Sequence, residues 1–173
     1  MKNTYITSAS VEDYKSVQLI GRETFYETFA AGNSEENMQN YLSESFSDQN
    51  VKEELSNEES LFFIAWEEQV PIGYLKLNTG NAQTELKDPL AMEIERIYVK
   101  ASHHGKRIGQ LLYDKALEIA KQQHKQSIWL GVWEENPRAI RFYAKNGFVA
   151  FDKHVFKMGN DEQTDIMMRK ILS

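Results

Sequence analysis

Hydrophobic positions in this chain change their spacing several times, and each change marks an element. A short run near "TYIT" predicts a first strand. Ser10 followed three residues later by Asp13 has the form of a capping box, opening a helix through Val11, Tyr14, Val17 and Phe25. A second helix is predicted from Ser34, with Met38, Tyr41 and Leu42 on one face, and "NVKEELSN" adds another turn or two. "SLFFIAWEEQVPIGYLKLN" then holds two β-rich runs about a polar "EEQ", the signature of an antiparallel hairpin, and "NTGNAQTELKDP" reads as a surface loop.

From residue 91 the order becomes strand, turn, helix, strand, helix, strand, strand. In "AMEIERIYV" the apolar positions are 92 and 94, then 97 and 99, so the period of two slips at Glu95-Arg96. One extra residue, a β-bulge, re-phases a strand in this way; a strand buried on both faces would also lack alternation. Residues 107–123 predict a helix burying Ile108, Leu111, Leu112, Ala116, Ile119 and Ala120, and "SIWLGVW" predicts a strand. In "NPRAIRFYAKNGF", Asn136 is a natural N-cap, Pro137 a natural first helical residue and Asn146-Gly147 a stop. "FVAFDKHVFKM" and "TDIMMRKIL", about a "GND" turn, predict a closing hairpin.

Composition narrows the class. The 173 residues are 41% hydrophobic and 27% charged, without repeats or linkers, which predicts one globular domain over residues 1–173. The longest apolar run, "LFFIAW", is too short to span a bilayer, and the first residues lack the apolar centre of a secretory signal, so a cytoplasmic protein without membrane attachment is expected. Cysteine is absent, which excludes disulfides, a thiolate zinc site and a cysteine-bound intermediate. Residues 1–95 carry 6 Lys and Arg against 18 Asp and Glu, whereas residues 96–173 carry 14 against 8. That asymmetry suits a protein meeting a cation with one region and an anion with the other, or simple solubilising charge. A pI near 5.3 argues against nucleic acid as a partner.

The stretch "HHGKRIG" sits between a strand and a helix, where successive backbone N–H groups at the helix's positive end favour phosphate. Neither G-x-x-x-x-G-K-[ST] nor G-x-G-x-x-G occurs, which disfavours nucleoside triphosphatases. His103 and His104 have no matching acidic or histidine cluster nearby in sequence, so no metal is expected.

Taken together, "IERIYV", "HGKRIG" and "NPRAIRFYAKNGF" resemble the GNAT superfamily of acyl-CoA-dependent N-acyltransferases. The resemblance implies an α/β (α+β) fold: a mostly antiparallel mixed sheet of about seven strands flanked by helices, with two central parallel strands splayed apart. It implies acetyl-CoA as co-substrate, its pyrophosphate held by main-chain amides of His104, Gly105, Lys106, Arg107, Ile108 and Gly109, and its pantetheine arm paired with the backbone of Ile97, Tyr98 and Val99. The family's turn reads Arg/Gln-x-x-Gly-x-Gly/Ala; this chain departs from it with His104 at the first position and Arg107 at the first glycine. Arg107 fits there with a negative φ and its side chain in solvent, where it attracts phosphate.

Amine acetylation needs a proton removed from an ammonium with a pKa of about 10, and benefits from one given to the departing thiolate. The family's tyrosine near the thioester sulfur corresponds to Tyr143, an acid candidate that also has a packing role beside Phe142 and Phe148. Glu95 is the base candidate at the bulge, with Glu93 and Glu134 as rivals and pairing with Arg96 or a lysine as its structural alternative. Asn136 holds backbone or cofactor at the second motif, or simply caps its helix.

"NSEENMQNYL", "EIERIYVK", "IWLGVWEENPRAI" and "MGNDEQTDIMM" resemble the PaiA-type spermidine/spermine N-acetyltransferases across nearly the full chain. That resemblance implies direct transfer of acetyl to a small-molecule polyamine in a ternary complex, by a monomer or homodimer. Glu35, Glu36, Glu44, Asp48, Glu53 and Glu54 are candidates to attract the polycation. Proteins of that group are linked to negative control of sporulation and protease production; without a helix-turn-helix, such control is indirect here. A protein amine or aminoglycoside as acceptor, and a non-catalytic CoA-sensing module, are the alternatives.

Overall fold

Both faces of the central strands are buried, which is why "LFFIAW" reads as an unbroken apolar run: Phe62 and Ile64 point into one core, Phe63 and Ala65 into another. The computed structural model describes residues 2–172. Its elements run β1 (Thr4–Ala9), α1 (Tyr14–Phe29), α2 (Glu35–Ser45), α3 (Asp48–Ser56), β2 (Ser60–Glu67), β3 (Val70–Asn78), β4 (Ala91–Val99), α4 (Ile108–Gln122), β5 (Ser127–Trp133), α5 (Pro137–Lys145), β6 (Val149–Met158) and β7 (Asp161–Ile171). All seven strands form one sheet in the order β1-β2-β3-β4-β5-β7-β6. Every neighbouring pair is antiparallel except β4 and β5.

Helices cover the two faces. Val17, Ile20 and Phe25 of α1 and Met38 and Leu42 of α2 pack on Ile64 and Tyr74, whereas Leu112 and Ala116 of α4 and Tyr143 of α5 pack on Ile94, Ile128 and Leu130. Local signals place the helix starts. Ser34 and Asn136 accept from Asn37 N and Ala139 N, and the Ser10–Asp13 capping box opens a single 3₁₀ turn (Val11–Asp13) that runs into α1.

Three expectations need adjustment. Leu111 is exposed rather than buried, and Tyr113 takes the inward position instead. The closing hairpin turns on Gly159 and Asn160 alone, because Asp161 already pairs with Met158. The "NTGNAQTELKDP" loop is not wholly superficial: Gln83 is buried and accepts the Trp129 indole N–H at 2.7 Å.

The feature that matters for function is where β4 and β5 stop pairing. They are joined from Ala91–Ser127 to Ile94–Leu130 and no further. Beyond that point β4 continues only with β3, through Tyr98–Tyr74 and Val99–Gly73, and β5 only with β7. The register between β3 and β4 steps from Lys76–Arg96 to Leu77–Ile94, leaving Glu95 as the extra residue of a bulge at the mouth of the splay.

Candidate active site

The splay opens a cleft of about 1200 Å³ that passes between β4 and β5 and is bounded by α1, α4 and α5. Its walls include Ile97, Tyr98, Val99, His104, Gly105, Arg107, Ile108, Gly109, Asn136 and Tyr143; Lys106 stands outside them. The sequence-derived cofactor residues, save Lys106, therefore converge on one space.

At one end, α4 presents an uncapped N-terminus. Arg107 occupies the N-cap position without a side-chain hydrogen bond, so the first amides of the helix, from Ile108 to Gln110, have no intrahelical acceptor. Gly105 precedes them with φ +80° and open space where a Cβ would stand, so a ligand can approach the backbone closely. Arg107 contradicts the expectation of a negative φ: it adopts φ +67°, ψ +16°, left-handed. The turn keeps the backbone shape a glycine would give it, and the arginine bears strain of roughly 1–2 kcal/mol. His104 Nε2 donates to the Val99 carbonyl at 2.8 Å, whereas His103 pairs with Glu67 at 3.1 Å, so the two histidines face different partners. No group of three or more His, Cys, Asp or Glu able to hold a metal occurs among the described residues.

Sequence reasoning missed the basic face of α5. Arg138, Arg141 and Lys145 recur at helical spacing and line the same cleft as Arg107. Asn136 caps α5 through Ala139 N at 3.2 Å, so its side chain is accounted for by that bond.

Tyr143 is 6% exposed and packs edge-on against Phe142 and Phe148. Burial alone pushes its phenol well above the ordinary value of 10.0, so it keeps its proton at neutral pH.

Glu95 lines the other side of the splay, but its carboxylate is occupied. Oε1 accepts from Lys76 Nζ at 2.9 Å and Asn78 Nδ2 at 2.7 Å, and Oε2 lies 3.2 Å from Arg96 Nη2. Glu54 completes the network with two bonds from Arg96 and one from Lys76. Burial would raise the Glu95 pKa, but Arg96 and Lys76 together outweigh it and hold the carboxyl below its ordinary value. Glu93 is likewise committed, to Asn78 Nδ2, Thr84 N and Thr84 Oγ1; here burial prevails and the pKa is raised. Glu134 lies outside the cleft walls, its neighbour Glu135 within them.

On the face of the sheet that carries α1 and α2, the cleft meets an aromatic wall. Phe25 stacks on Tyr41 at 4.3 Å, Phe29 lies 5.1 Å from Trp133 and Tyr41 5.9 Å from Phe156, and Glu93, Glu95 and Asp165 lie nearby along the same cleft. The carboxylates put forward to attract a polycation are elsewhere. Glu35, Glu36, Glu44, Asp48 and Glu53 are exposed on α2 and α3, away from these walls, and Glu54 is bound in the ion network.

A split between parallel strands, a helix N-terminus with amides lacking intrahelical acceptors and a buried tyrosine thus meet in one cleft. Residues 23–148 match the Acetyltransferase (GNAT) family, and the chain belongs to it as an acetyl-CoA-dependent N-acetyltransferase. It is 37% identical over 172 residues to an uncharacterized N-acetyltransferase in the pepI 3′ region of Lactobacillus delbrueckii subsp. lactis, covering 99% of both chains. It is 28% identical over 169 residues to the spermidine N(1)-acetyltransferase of Thermoplasma acidophilum, covering 95% of each. The crystal structure of the PaiA N-acetyltransferase from that organism in complex with coenzyme A superposes with a TM-score of 0.80 at 27% identity, over 98% of this chain and 99% of the other.

Proposed function

We propose that this enzyme acetylates a primary amine of a spermidine-like polyamine by direct transfer from acetyl-CoA. The observation that carries this reading is the pairing of aromatic rings with carboxylates on the acceptor side of the splay. A flexible chain of methylenes and ammonium groups suits a cleft that is lined by Phe25, Phe29, Tyr41, Trp133 and Phe156 together with Glu93 and Asp165. Rings also attract the cations directly, by about 0.5–2 kcal/mol each. The Thermoplasma relative, a spermidine acetyltransferase by name, supports the same substrate class.

On this reading the pyrophosphate would meet the amides of Gly105 and of 107–109, since those of His104 and Lys106 already donate to the Ala101 and His103 carbonyls, with Arg107, Arg138 and Arg141 lining the same cleft. The pantetheine arm takes up the β4 backbone at Ile97–Val99 that β5 leaves unpaired. Tyr143 donates to the leaving sulfur. Glu95 is neutralised in its ion network with Lys76, Arg96 and Glu54, so it shapes the mouth of the splay rather than charging it. Any influence on sporulation or protease production runs through polyamine level.

The test is a thiol-release assay with acetyl-CoA and a panel of spermidine, spermine, a lysine-bearing peptide and an aminoglycoside, with products weighed by mass spectrometry. Highest kcat/KM on a polyamine is expected. Turnover confined to the peptide or aminoglycoside would overturn the reading.

A further inference from the structure

Gly131 is the first residue of β5 past its last pair with β4, so β5 carries no side chain where the splay opens. A Cβ built there would lie 3.4 Å from Asp165 Oδ2. Asp165 belongs to β7, directly across from Trp133 of β5, so carboxylate and indole share the face of the sheet that carries the aromatic wall. The glycine leaves the carboxylate open toward the splay: Asp165 lines the cleft with its side chain 21% exposed.

Asp165 differs from the other carboxylates along this wall. Glu93 and Glu95 already accept donors at both oxygens, and Glu27 accepts the Ala101 amide at 3.0 Å. Among the described residues the one ionic contact of Asp165 is with His154 on β6, the side away from β5, where Nε2 lies 3.5 Å from Oδ2. Glu85 Oε1 stands 3.4 Å from the other nitrogen of that ring. Burial raises the Asp165 pKa above its ordinary value; His154 offsets part of this, and Glu85 raises it further. A carboxylate partly withdrawn from water beside a second carboxylate gains most from a cation arriving through the cleft.

Resting on the polyamine acetylation argued above, we propose that Asp165 is a specificity-determining residue of the acceptor site: it binds the ammonium that is not acetylated, and Gly131 is the gap through which that ammonium reaches it. An N–H of this ammonium donates to the carboxylate in a charge-assisted bond, stronger than one between neutral groups. Trp133 beside Asp165, and Phe29 at 5.1 Å from Trp133, offer ring faces to the methylenes that separate the two nitrogens. The acceptor class is therefore an alkyl chain bearing at least two ammonium groups. A monoamine leaves Asp165 without its partner.

The test compares an alkyl diamine with the monoamine of the same length, in which a methyl group replaces the distal ammonium. Wild-type enzyme should favour the diamine by about 10- to 100-fold in kcat/KM, the span that a hydrogen bond to a charged group supplies. In Asp165→Asn, which keeps the shape and removes the charge, the two acceptors should converge, chiefly through a higher KM for the diamine. Asp165→Glu should recover part of the preference. Coenzyme A affinity by calorimetry should be unchanged in both. A preference that survives Asp165→Asn, an equal loss with both acceptors, or a wild-type enzyme that takes both equally would overturn the anchor while leaving amine acetylation standing. Gly131→Ala keeps the charge and sets a methyl group 3.4 Å from Oδ2. It should lower the same preference, and a wild-type preference in it would overturn the anchor should Asp165→Asn fail to fold. A wild-type enzyme inactive on every alkylamine would overturn the acetylation reading and the anchor with it.

Discussion

At the scale of single residues, Tyr143 and Arg107 carry the sharpest consequences. The Tyr143 phenol is buried and its shift has no hydrogen-bonding cause, so removing the hydroxyl sacrifices little packing. Tyr143→Phe should therefore keep the wild-type melting temperature and coenzyme A affinity while kcat falls ~10- to 1000-fold; an unchanged kcat in a steady-state assay would remove it as the acid. Arg107 is a non-glycine residue at φ +67°. Relief of about 1–2 kcal/mol of strain, less the greater freedom of glycine in the unfolded chain, leaves Arg107→Gly more stable by about 0.5–1 kcal/mol. Urea denaturation checks this, and a lower midpoint would contradict it. The arginine itself does not announce a left-handed backbone; the only signal was that Arg107 stands where the family's turn has glycine, and the expected negative φ passed over it. Gly131 and Asp165 were also illegible: they lie on strands separated in sequence by α5 and β6, and only the β5–β7 register brings them together.

Among elements, boundaries were legible wherever a cap wrote them. Ser34, Asn136-Pro137 and Asn146-Gly147 all mark ends within a residue of the observed ones. The bulge was legible too, since the period slip in "AMEIERIYV" falls at the residue that lacks a β3 partner. Its purpose was not. The extra residue directs Glu95 into the Glu54–Lys76–Arg96 network, whose Glu54 comes from α3, and no local pattern reports so distant a partner. That network has a pH signature. The folded pKa of Glu95 is lowered, so its contribution to stability is complete above the ordinary value of 4.5 and is lost as pH falls through the folded value. Glu93 has the opposite sign: its raised pKa makes its charged form unfavourable, and protonation above 4.5 relieves that cost. Glu95→Gln should cost about 1–3 kcal/mol at neutral pH, the lower part of that range being favoured because the side chain is 20% exposed and Glu54 remains. As pH falls from 4.5 through the lowered folded value, the variant and wild type should converge in urea melts; a constant difference at every pH would contradict the network.

For the whole molecule, the sheet separates two kinds of cleft wall: Arg107, Arg138, Arg141 and Lys145 come from the α4 and α5 side, and the aromatic wall lies on the face beneath α1 and α2. The acidic first half and basic second half of the chain foreshadowed two poles, but the mapping by halves is incomplete: Asp165 belongs to the basic half, and most early acidic residues are on outer helix surfaces. The order of strands and helices was legible from spacing and caps, whereas the sheet they build was legible through the family resemblance. The splay was legible only through family resemblance, since a gap between strands leaves no periodicity of its own. The measurement that tests the central claim most directly is a crystal structure of the coenzyme A complex. Pyrophosphate oxygens within hydrogen-bonding distance of the amides of Gly105 and of residues 107–109, and the pantetheine between β4 and β5 beyond Ile94 and Leu130, are expected. Coenzyme A bound elsewhere, with that turn contacting no phosphate, would contradict it.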